Sequence, residues 1–144
     1  MGGSRGVLLS GIALIIGIYS VGIKKADVQL AGSAIAHACK IQSERNAMMG
    51  VKAGIHSLRS DGNGGFSGIN TTDTFIILND TVSYTVSVVS FATTGTITAT
   101  SKFKNWKTTI RAYVRKKFGS DPYYWEITRR YIVPDPNEAN YVYQ

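Results

Sequence analysis

The sequence predicts an α+β fold: one long N-terminal helix, with a small antiparallel β-sheet head packed on its C-terminal half. Three observations predict it. Residues 6–23 (GVLLSGIALIIGIYSVGI) carry no charge, and no proline interrupts the chain from there to Leu58. From about residue 74 onward, β-branched and aromatic residues dominate, in runs separated by turn residues. Between these regions lies Ser60-Asp61-Gly62-Asn63-Gly64-Gly65, a sequence that stops a helix.

The helix comes first. Eighteen uncharged residues rising about 1.5 Å each cover roughly 27 Å, near the thickness of a bilayer core. Three readings of this run compete. A cleaved secretory signal has a short apolar core and a small-residue cleavage site; this run is longer, and helical periodicity continues past it. A permanent anchor is the second reading, with Lys24 and Lys25 after the run placing the head in the cytoplasm. The third is a stem that waits in the membrane and then packs with its copies. Gly6, Gly11, Gly17 and Gly22 recur through the run, with Ser10 and Ser20 among them. Each glycine costs about 1 kcal/mol in an isolated helix, yet small residues let apolar helices approach closely. This favours the third reading. The packing residues are then Val7, Leu8, Leu9, Gly11, Ile12, Leu14, Ile15, Gly17, Ile18, Val21 and Ile23.

The second half of the helix is amphipathic. Val28, Leu30, Ala31, Ala34, Ile35, Ala38, Ile41, Ala47, Met48, Val51, Ile55 and Leu58 recur mostly at steps of three or four, with polar residues between. Gly50 and Gly54 form a GxxxG pair suited to close approach. A continuous helix over these residues is about 80 Å long. Such a helix buries its apolar stripe in an assembly, and the chain offers no second long helix to pair with. Its last turns are expected to share the core of the head. Cys39, the one cysteine, has no internal partner and reads as a small buried apolar residue.

In the head, residues 74–78, 81–90, 96–103 and 106–116 read as an antiparallel meander, with 126–133 as a further strand. Val82, Tyr84, Val86 and Val88 alternate with Ser83, Thr85 and Ser87, so one face rests on the helix. Pro134 and Pro136 end the ladder. The expected organisation is a helix over 1–60, a head over 61–133 and a tail over 134–144. Tyr141 and Tyr143 in that tail point to docking, on its own head or on a neighbour.

The chain has a net charge of +7. Lys102, Lys104, Lys107, Arg111, Arg115, Lys116 and Lys117 form a basic stretch without an acid. An acidic surface or polyanion suits such a patch; a solvated face that keeps the particle soluble is the plainer account. Dedicated nucleic-acid binding is not expected, since it has no need of a sixty-residue helix. No metal-ligand spacing, nucleophile elbow, P-loop or dinucleotide fingerprint occurs, so neither an enzyme nor a cofactor is expected. Asp61 and Asn63 only begin to resemble a calcium loop. Asn70-Thr71-Thr72 and Asn79-Asp80-Thr81 match a glycosylation pattern short enough to arise by chance.

Taken together, Arg5-Gly6 before the apolar run, the long helix, its end at Gly54-Ile55-His56-Ser57-Leu58-Arg59-Ser60-Asp61, and the Gly-rich loop and sheet resemble the type IV pilin and pseudopilin superfamily. The head looks most like pilin-like proteins of Bacteroidota-type bacteria. The resemblance implies an extracellular filament on the bacterial surface, with apolar helices in its core and heads outside. It also implies storage in the inner membrane before assembly, self-association as the main contact, and a role in adhesion. Two features depart from the family pattern. The family's early glutamate is missing: no acid precedes Asp27, and Arg5 stands near that place. A leader cut after glycine fits Gly6, and residues 1–6 are still present, so leader processing here is expected to differ or to be complete already.

Overall fold

A computed structural model describes residues 3–60, 68–77, 79–117 and 124–136, with side chains from Ile12 onward. It has one long helix, α1 (Gly3–Ser60), and five strands: β1 (Ile69–Ile77), β2 (Asp80–Val88), β3 (Thr94–Phe103), β4 (Trp106–Lys117) and β5 (Tyr124–Val133). The fold is α+β. All five strands form one antiparallel sheet in chain order, each paired with its sequence neighbour. This is the expected meander.

By its internal contacts the chain divides after His37. The first unit is helix alone. The second unit, from Ala38 onward, holds the last part of α1 and the whole sheet, so its core is shared between them. Along β2 the apolar residues alternate inward, with Val82 and Val86 fully buried. Ile97 and Ala99 continue that face on β3, Ile110, Ala112 and Val114 on β4, and Trp125 on β5. From α1, Ala47, Val51 and Leu58 fill the other side. Cys39 is also buried, as its apolar reading required.

Gly50 and Gly54 set how closely sheet and helix meet. A Cβ on Gly50 would stand 2.8 Å from Ala99 Cβ and 2.9 Å from Val82 Cγ1. On Gly54 it would stand 2.7 Å from Ile97 Cγ2. The GxxxG pair therefore serves the chain's own sheet. Polar side chains on the same helix face are tied down. Ser43 Oγ donates to the Ser101 carbonyl at 3.3 Å, and Asn46 Nδ2 to Asp80 Oδ2 at 3.2 Å. At the far end, Arg59 Nη2 donates to the Trp125 carbonyl at 3.2 Å, and its guanidinium lies over the Tyr124 ring.

β1, β3 and β5 begin ahead of their expected starts, β3 by the two residues Thr94 and Gly95. β1 begins at Ile69, five residues before the predicted start at 74, because pairing with β2 carries Asn70–Asp73 into the ladder despite the poor strand propensity of Asn70 and Asp73. β5 begins at Tyr124, ahead of the expected start at 126, and this makes Trp125 a core residue.

Candidate functional site

Two surfaces come from the sequence reading: the apolar stem and the basic stretch. In the first unit, the described large apolar side chains are all exposed. They include Leu14, Ile15, Ile16, Ile18, Tyr19, Val21 and Ile23, with Leu14 65% and Tyr19 70% accessible. At 100° per residue, this set covers about 220° of the helix circumference, and Ala13, Gly17 and Ser20 occupy the remaining side. Ile12, in the same run, is 47% accessible. A Cβ placed on Gly17 or Gly22 meets nothing within 4 Å. Within one chain, these glycines therefore have no packing role. Val7, Leu8, Leu9 and Gly11 are helical in backbone, but their side chains fall outside the description. Among the described residues, no helix is long and apolar enough to cross a membrane. The uncharged run starts at Gly6, ahead of the first described side chain.

The basic stretch follows strand parity. On β4, Thr108, Ile110, Ala112, Val114 and Lys116 point inward and are buried; Lys107, Arg111, Tyr113, Arg115 and Lys117 point outward and are exposed. Lys116 is therefore a correction: it was assigned to the basic surface and is only 5% accessible. Lys102 is exposed on β3 directly opposite Lys107. Lys104 occupies the β3–β4 turn with φ 53°. The patch is also not free of acid in space, because Arg115 Nη2 contacts Glu126 Oε1 of β5 at 3.0 Å.

Register adds residues that the linear stretch did not contain. β5 sets Tyr131 opposite Arg111 and Arg129 opposite Tyr113. The Tyr113 and Tyr131 ring centroids are 6.1 Å apart at 34°. Interaction between the two hydroxyls raises the pKa of Tyr113 and lowers that of Tyr131. Arg111 also hydrogen-bonds Tyr131 and lowers it further. The irregularity between Tyr113 and Val114 inserts one extra β5 residue, Thr128, which keeps both sides of the bulge in phase. Chain order conceals this cluster; only pairing β4 with β5 brings it together.

Among the described residues no group of His, Cys, Asp and Glu could hold a metal ion. Asp61 and Asn63 lie outside the described residues, as do Tyr141 and Tyr143. A groove of about 430 Å³ runs between α1 and β5, lined chiefly by Ile41, Met48, Ile110 and Ile132, with Arg45 and Arg130 at its rim. Compared with known protein families, curated proteins and solved structures, the chain matches none.

Proposed function

We propose that the chain is a non-enzymatic structural subunit of a helical extracellular filament. Its stem, residues 7–23, packs with other stems in the fibre core, and its β head forms the outer surface and serves adhesion. The observation that carries this reading is the exposure of the stem's large apolar side chains over most of its circumference. Removing such side chains from water stabilises by about 25 cal/mol per Å², and so wide an apolar face requires a covering. Gly17 and Gly22, unused within the chain, suit close approach between copies. The membrane is where the subunit waits before assembly.

Negative-stain microscopy of native material tests this. Fibres of uniform width are expected; monomers in detergent with no fibres in native material would sink it. Gly17→Glu separates assembly from folding. Loss of polymer is expected, with the far-UV spectrum and melting of the head unchanged.

A single-pass anchored binding module is the second reading. Lys24 and Lys25 directly after the uncharged run favour it. In that case the protein fractionates stably with membranes, forms no polymer, and uses its basic head on an acidic partner.

A further inference from the structure

The sheet face turned away from α1 is an ordered field of hydroxyls that ends in arginines and tyrosines. One cross-strand row reads Thr72, Thr85, Thr98, Arg111, Tyr131; the next reads Asn70, Ser87, Thr96, Tyr113, Arg129. Neighbours in a row are about 4.8 Å apart. Thr72 and Thr85 hydroxyls are 2.9 Å apart, and those of Thr100 and Thr109 are 3.0 Å apart. Among the described strand residues, Glu126 is the single acid on this face, and Arg115 already pairs with it. Arg111 and Arg129 are both exposed and stand diagonally across the tyrosine pair.

We propose that this face binds an acidic polysaccharide, with uronate carboxylates on Arg111 and Arg129 and sugar rings against Tyr113 and Tyr131. Three features select that ligand. The positive field demands an anion. A guanidinium offers a planar fork that matches a carboxylate through two parallel hydrogen bonds. The adjoining threonines and serines are donors and acceptors at once and pair with sugar hydroxyls. Single-stranded nucleic acid fits less well, because base recognition uses aromatic faces that stand clear for stacking. Here the two ring centroids stand about 6.1 Å apart, too close for a base to be sandwiched between them. The inference rests on the head being the adhesive part of the subunit, and is independent of polymerisation.

The test uses the full chain in detergent micelles, with polygalacturonate, neutral dextran and poly(dT) as probes. Polygalacturonate is expected to bind and dextran not to. The double variant Arg111→Gln/Arg129→Gln should weaken binding about tenfold or more, since both charged hydrogen bonds are lost. Tyr113→Ser/Tyr131→Ser should weaken it several-fold at unchanged charge, while Lys104→Gln, in the turn, should leave it intact. Arg111→Lys/Arg129→Lys keeps the charge, removes the fork and should still lose affinity; melting curves of each variant verify the fold. Absence of polygalacturonate binding overturns the proposal. So does equal binding of poly(dT), or indifference to the tyrosine variants, either of which makes the face a general charge surface. Fibres seen by microscopy alongside a negative binding result would leave the filament reading standing and remove only this one.

Discussion

At the residue scale, Gly54 shows what a missing Cβ does. The position an alanine Cβ would take lies 2.7 Å from Ile97 Cγ2, and Ile97 is itself fully buried. Gly54→Ala forces helix and sheet apart and should cost about 1–3 kcal/mol, read as a lower denaturation midpoint. Tyr84 provides a second residue-scale outcome. Burial, and next the charge of Asp73, raise its pKa above the ordinary 10.0, and its hydroxyl donates to Asp73 Oδ2 at 3.3 Å. A raised folded-state value means that the stability tied to the neutral phenol is complete below pH 10 and is lost as pH rises through that value. Head stability should therefore fall above pH 10, and Tyr84→Phe should flatten that fall in a melting series. Lys116 was decidable from sequence by parity, since Ile110, Ala112 and Val114 point inward and 116 follows in step. Counting charges along the chain hides what alternation reveals.

At the element scale, the strands were legible where apolar and polar residues alternate, as in β2, and less so where alternation is absent, as over Asn70–Asp73 of β1. β5 shows the limit. Tyr123-Tyr124-Trp125 follows Pro122 and precedes the expected strand, yet Trp125 pairs with Lys116 and is fully buried. β5 anchors the sheet edge to the end of α1 through this residue and through Arg59. Trp125→Ala should cost about 3–5 kcal/mol, visible as loss of the head's cooperative melting transition. Arg115→Gln, which breaks only an exposed ion pair, should cost less than about 1 kcal/mol. The Arg–Tyr cluster was out of reach because it depends on register across the bulge, which neither strand's own pattern determines.

At the scale of the whole molecule, two units with opposite surfaces share one helix. The head buries an ordinary core around Val51, Val86 and Ile97, whereas the stem from Ile12 to Ile35 leaves its large apolar side chains in the open. A change in the stem should therefore leave head stability untouched and alter only association. Gly17→Glu is expected to show that separation, and Gly54→Ala its reverse: a weakened head on a stem still able to associate. Sedimentation and melting measured on the same samples distinguish the two effects. The sequence changes from uncharged to amphipathic near Lys24, whereas the units divide after His37, because Val28, Leu30 and Ile35 carry the helical pattern without meeting the sheet.

The order of synthesis gives the shared helix a further consequence. Ala47, Val51 and Leu58 leave the ribosome before any strand exists, and their last core partner, Trp125, lies far downstream. At about 5–20 residues per second, the gap from Leu58 to the end of β5 lasts roughly 4–15 s. During that interval the helix holds a bare apolar stripe beside an uncharged stem, and a nascent chain in this state is prey to premature association. The meander shortens the danger, because every strand closes on the one just made and the sheet is ready for the helix as soon as β5 emerges.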